Sequence, residues 1–292
     1  MKFAFSTVSC PKWDFATIVA RAREYGYDGV ELRCSPGETV LTAANVFLSD
    51  VRKVRSAFEG GGIEIACLSS SIAMSGKRRA DARHSAEVRS YVDTARELGC
   101  RLVKVFDAQV RAGQSRSSAE MALGEWLLPL GDYAAERGVT IVVENALSFR
   151  AAKEMWTILD RIQHPAVACC WDVFNAALVG ETPYLSVPTL NSKIHYCQVK
   201  DAKLGALGAT LCKLGEGDVP VEKFITRLKG VGYTGYVTVE WEKAWLPNIA
   251  EPQDVLPDAA EKLRKWAAAG ADEADEEGDS EPAAATHGAV VK

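Results

Sequence analysis

Short apolar runs rich in Val, Ile, Phe and Cys alternate along the chain with longer stretches in which apolar residues recur every three or four positions. The first pattern is that of buried strands and the second that of one helix face. The runs predict strands at 3–8, 29–33, 63–69, 101–106, 139–144, 166–172, 194–199 and 235–240. The stretches predict helices at 14–25, 49–59, 82–98, 117–137, 150–163, around 184–190, 221–229 and 257–268. Glycines mark many of the helix-to-strand joins, among them Gly26, Gly62, Gly99 and Gly138. A glycine just past a helix adopts the left-handed cap at no steric cost. Eight strand–helix units in one chain predict an α/β fold, a single closed (β/α)8 barrel over residues 1–269. A doubly wound open sheet is the alternative, but the turn after the first strand, Ser9-Cys10-Pro11-Lys12-Trp13, lacks the glycine-rich phosphate loop of that class.

Composition narrows the function classes. With 48% hydrophobic and 25% charged residues among 292, the chain is neither collagen-like, coiled-coil nor wholly disordered. No apolar run approaches the ~20 residues of a membrane span, and the N-terminus is too short for a signal segment, so a cytoplasmic protein with no membrane partner is expected. The net charge is −5, yet residues 270–292 hold seven acids and one lysine and carry −6 by themselves, leaving the body at +1. That neutrality argues against a nucleic-acid partner. The acidic, Ala- and Gly-rich stretch has too little apolar surface to offset ordering entropy and is expected to be a disordered tail. The eight cysteines are scattered without a C-x-x-C pair, which predicts reduced, mostly buried thiols and no zinc site.

In a barrel of this kind the reactive groups stand at the C-terminal strand ends. Those ends carry Glu31, Glu144, Asp172, Gln198 and Glu240. Side chains alternate along a strand, so Glu144 shares a face with Val142, Asp172 with Cys170 and Ala168, Gln198 with Tyr196 and Ile194, and Glu240 with Thr238 and Tyr236. The opposite faces are bulky and apolar, which turns the acids towards the barrel axis and His195 towards the helices as a packing residue. Three carboxylates converging in an enclosed mouth raise one another's pKa unless a cation neutralises them. Oxygen-only ligands suit a hard divalent ion, Mn2+ or Mg2+, with Co2+ as a further candidate.

Several motifs in this order resemble the xylose isomerase-like barrel superfamily of sugar isomerases, sugar-phosphate epimerases and related lyases. They are Gly26-Tyr27-Asp28-Gly29-Val30-Glu31, Val142-Val143-Glu144-Asn145, Trp171-Asp172-Val173-Phe174-Asn175, Gln198-Val199-Lys200-Asp201, Leu214-Gly215-Glu216-Gly217-Asp218 and Thr238-Val239-Glu240-Trp241-Glu242. The resemblance implies that Glu144, Asp172, Gln198 and Glu240 hold the metal and that the two glutamates also move protons. Three positions depart from the family pattern: Asn175 stands where many members have His, Arg150 where many epimerases have a second Glu, and Gln198 where His is commoner.

The expected chemistry is isomerisation or epimerisation of a small carbohydrate or hydroxy-ketone, by proton transfer next to a carbonyl through an enediolate. Lys200, in phase with Gln198, either stabilises developing charge or pairs with Asp201. Glu31 binds a substrate hydroxyl or pairs with Arg33. Trp13, Trp241 and Trp245 wall the sugar or pack in the core, and Asn175 lies within reach of substrate. The rivals are a lyase using the same ion and base for β-elimination, a non-catalytic sugar-binding barrel, and an apurinic endonuclease, for which the chain's four histidines are too few. A homo-oligomer is compatible with all of these.

Overall fold

The computed structural model describes residues 1–34, 42–206 and 208–269. The expected tail, 270–292, lies outside the described residues. Eight parallel strands alternate with helices in chain order. They are β1 Lys2–Ser6, α1 Phe15–Tyr25, β2 Gly29–Arg33, α2 Val51–Gly61, β3 Glu64–Ser69, α3 Arg78–Leu98, β4 Leu102–Phe106 and α4 Arg116–Ala135. The second half continues with β5 Thr140–Glu144, α5 Ala152–Ile162, β6 Val167–Asp172, α6 Val173–Ala177, α7 Pro183–Leu190 and β7 Ile194–Val199. It ends with β8 Asp201–Gly205, β9 Gly208–Cys212, α8 Val221–Gly230, β10 Tyr236–Val239 and α9 Pro252–Ala268. The sheet closes in the order β1-β10-β7-β6-β5-β4-β3-β2, and β8 and β9 form a separate antiparallel hairpin. This is the expected (β/α)8 barrel, with strand bounds within one or two residues of the predicted ones. Among the described residues no helix is long and apolar enough to cross a membrane.

Alternation sorts the core into two layers. Ala4, Val142, Ala168, Cys170, Tyr196 and Tyr236 fill the barrel interior, while Val143, Cys169, Trp171, Cys197 and Val239 pack outward against the helices. Small residues face Tyr196 and Tyr236 across the axis, so the interior is packed rather than open. All eight cysteines are free, seven of them buried, as expected.

Two readings needed correction. The pairing of β6 with β7 shifts between Cys169 and Cys170, so that Ile194 opposes Cys169 and Tyr196 opposes Cys170. His195 is the extra residue of this bulge, which breaks the alternation below Tyr196. Ile194 therefore packs in the outer layer, and His195 is an exposed residue at the N-terminal barrel end. There it lines a cavity of about 820 Å3 with Lys2, Glu64 and Tyr236, instead of packing beneath helices. The short helix α6 and the β8–β9 hairpin were not foreseen. Both begin at a site residue or beside one, where polar side chains rather than apolar periodicity organise the backbone.

Candidate active site

The polar strand ends gather where alternation put them. Asp172 pairs in register with Gln198, Gln198 with Thr238, and Glu240 follows β10 directly. Glu31, Asp172 and Gln198 are fully buried, and Glu144 and Glu240 nearly so. Burying four carboxylates at one mouth demands counter-charge, and two lysines supply it. Lys104, wholly buried on β4, donates to Glu144 Oε2. Lys200 lies just beyond β7, its Nζ 2.6 Å from Glu240 Oε2, 3.0 Å from Glu242 Oε1 and 3.1 Å from Asp172 Oδ2. Sequence reasoning assigned this neutralisation to a divalent cation; in the structure ammonium groups sit among the acids. Lys200 pairs across the mouth and not with its neighbour Asp201.

Asp201 organises a loop instead. Its carboxylate accepts backbone N–H groups of Gly215 at 2.8 Å, Gly217 at 2.9 Å and Val219 at 3.1 Å. A Cβ at Gly217 would stand 2.0 Å from Asp201 Oδ1, so the close approach requires glycine there. The Gly215-Glu216-Gly217 motif thus serves to fix the segment that follows Lys200.

Each remaining residue of the set has a defined partner. Asp172 Oδ1 caps α6 by accepting from Phe174 N at 2.8 Å and Asn175 N at 3.2 Å. Its Oδ2 is buried and, although near the Lys200 ammonium, receives no well-directed hydrogen bond. Asn175 Nδ2 donates to Glu144 Oε1 at 3.2 Å, which ties β5 to β6. Gln198 Nε2 donates to both oxygens of Glu31, at 3.2 and 3.0 Å, and its Oε1 accepts from Cys170 Sγ at 3.6 Å. Glu31 is therefore held by Gln198, not paired with Arg33. Asn145 and Asp107 hold the rim from behind. Asn145 Oδ1 accepts from Asp172 N, and Asp107 accepts from Leu147 N and Phe149 N, both at 2.6 Å.

The electrostatics follow from burial and the two ammonium groups. Burial pushes Asp172 up to about 6, although Lys200 draws it down. Burial likewise opposes the charge on Glu240, but Lys200 and then Lys104 outweigh it and hold this carboxyl at about 2. Burial alone would lower Lys200, yet Asp172, Glu240 and Glu242 raise it well above the ordinary lysine value. Glu31 is raised by burial. The mouth thus holds an ionised Glu240 beside a firmly protonated Lys200.

Among the described residues, no cluster of three or more His, Cys, Asp and Glu side chains is placed to hold a metal ion. Glu144, Asp172, Gln198 and Glu240 are gathered at one mouth, but each is turned towards another partner. Their chemistry nonetheless suits a hard divalent cation: all four offer oxygen, and Asp172 Oδ2 is a buried acceptor lacking a hydrogen bond.

Of the three tryptophans singled out from the sequence, two make packing contacts. Trp13 meets the outward-facing Phe5 edge-on at 6.5 Å, and Trp241 is buried with its indole N–H on the Ala250 carbonyl at 2.9 Å. The rings beside the charged groups are two phenylalanines and the third of these tryptophans. Phe106 faces Lys104 at 4.4 Å and Arg33 at 5.4 Å, Phe174 faces Lys200 at 5.2 Å, and the partly exposed Trp245 faces Arg33 at 5.6 Å. Sequence reasoning missed Lys104 because one lysine in an apolar run reads as a surface residue. Its signal was phase: Lys104 is level with Val142, which shares the face of Glu144.

A model of the xylose isomerase-like TIM barrel family matches residues 19–266. The chain belongs to that family. No curated protein matches it significantly. Among solved structures, a D-allulose 3-epimerase from Methylomonas sp. is 18% identical with a TM-score of 0.74, covering 91% of this chain and 97% of its own. A probable 3-DHS dehydratase from Bacillus anthracis is 17% identical with a TM-score of 0.74, covering 90% and 99%. An L-ribulose 3-epimerase is 14% identical with a TM-score of 0.76, covering 91% and 94%. At these identities the likeness is one of fold.

Proposed function

We propose that the barrel mouth is the active site of a carbohydrate isomerase or epimerase that transfers a proton at the carbon next to a carbonyl. The observation that carries this reading is a pair of buried carboxylates, Glu144 and Glu240, each hydrogen-bonded to its own lysine at the C-terminal barrel end. The family and the likeness in fold to two sugar 3-epimerases support it.

Glu240, kept ionised by Lys200, accepts the α-proton, and Glu144 stands on β5 to act on the other side of the same carbon or on its neighbour. Return of the proton to the adjacent carbon isomerises; return to the opposite face epimerises. The developing enediolate oxygens are stabilised by Lys200 and Lys104, whose ammonium groups are already desolvated and in place. Asn175 and Gln198 orient Glu144 and Glu31, and Glu31 takes a substrate hydroxyl. Glu144, Asp172, Gln198 and Glu240 would hold a divalent cation, Mn2+ or Mg2+, which when bound polarises the carbonyl as a Lewis acid.

The test is a panel of ketoses, aldoses and keto-acids in D2O with added Mn2+. Deuterium uptake at the carbon next to the carbonyl, with an isomeric product, is expected. Loss of water from the substrate would point instead to a lyase on the same barrel, and no exchange across the panel would contradict the proposal.

A further inference from the structure

Among the described residues, Arg33 is a buried cation of the mouth for which the mechanism has no use. It lies on β2 in phase with Glu31 and is 2% exposed. Unlike Lys104 and Lys200 it forms no ion pair among the described residues. Its Nη1 donates to Ser69 Oγ at 3.1 Å, its Nη2 donates to Ser71 Oγ, and its Nε is buried without any partner. Two aromatic faces border the guanidinium, Phe106 at 5.4 Å and Trp245 at 5.6 Å. Among the described residues this buried arginine is held by hydroxyls and rings, and has lost its hydration without gaining a counter-ion there. Nε is the donor left without a partner, and the guanidinium edge that carries it is one that binds a planar or tetrahedral oxyanion through two parallel N–H bonds. The site lies beside the reacting groups, since Phe106 borders both Arg33 and Lys104, and the arginine's charge acts on Glu31 and Glu240.

We infer that Arg33 receives an anionic group of the substrate, so that the barrel acts on an acidic sugar or keto-acid, carrying a carboxylate or a phosphate, rather than on a neutral ketose. This deepens the proposed function and rests on the mouth being the active site. Ser69 and Ser71 position the guanidinium, and the aromatic rings keep water from competing for it.

Binding can be measured apart from turnover, by calorimetry on the full chain with shikimate, D-fructose 6-phosphate and D-fructose. At least one of the two anions is expected to bind about 10-fold or more tightly than fructose, and which one does so separates carboxylate from phosphate. Arg33→Gln is expected to abolish that preference, and Arg33→Lys to restore only part of it, because lysine lacks the paired N–H edge. Circular dichroism confirms that each variant is folded, and Ser71→Ala, at an exposed position, provides a milder variant with a smaller loss of preference. Equal binding of the three ligands by the wild type, or an undiminished preference in folded Arg33→Gln, would overturn the inference. A failure of deuterium exchange with the anion preference intact would instead remove the proton-transfer reading and leave Arg33 as the receptor.

Discussion

Replacing Lys104 by methionine is expected to destabilise the protein by about 3–5 kcal/mol, the range for breaking a buried ion pair by removing one partner. Lys104 is wholly enclosed and donates to Glu144, itself almost fully buried, so the substitution leaves a carboxylate without its counter-charge in a medium that cannot hydrate it. The melting temperature should fall by roughly 6–20 °C for a chain of this size. Lys104→Met combined with Glu144→Gln should recover most of that loss, since a neutral pair of similar volume has no charge to desolvate. Thermal melts of the single and double variants check this. A single variant that melts like the wild type would mean that Glu144 finds another cation and that the Lys104 contact carries no stability.

Glu240→Gln is expected to do the reverse, keeping the fold and removing the chemistry. Glutamine matches the shape of glutamate and its Oε1 still accepts from Lys200, whose charge remains compensated by Asp172 and Glu242. What disappears is the site that takes the proton. Loss of a positioned general base lowers turnover by about 10²–10⁴-fold. The rate of deuterium uptake on a substrate found in the panel is the measurement, with circular dichroism as the control. Unchanged exchange would remove Glu240 from the mechanism.

The barrel and the phase of its acids were legible in the sequence because both follow from periodicity. Val142 and Glu144 face inward, as do Cys170 and Asp172, for the same reason that Val143 and Trp171 face outward. The reading failed where a residue departs from its local pattern. His195 was misplaced because a bulge adds one residue to β7, and nothing in a run of apolar and aromatic residues announces a bulge. Lys104 was passed over because burying a lysine is costly, which makes an exposed position the ordinary expectation. Its partner, Glu144, lies forty residues away in sequence, and only the closed sheet makes the pair visible. The rival assignments for Lys200 and Glu31 could not be separated without knowing which strands are neighbours. Asp201 was the nearest acid to Lys200 along the chain, but its oxygens belong to the backbone of the Gly215–Val219 loop.

The ammonium groups also sharpen the question of the metal. Asp172 lies at the centre of it, with one oxygen capping α6 and the other buried beside Lys200 without a directed hydrogen bond. The most direct measurement is a Mn2+ titration of the chelator-treated protein, followed by electron paramagnetic resonance of the free ion. One saturable Mn2+ per chain is predicted for the wild type, with none in folded Asp172→Asn. The absence of saturable binding by the folded wild type, or binding undiminished in Asp172→Asn, would contradict the account.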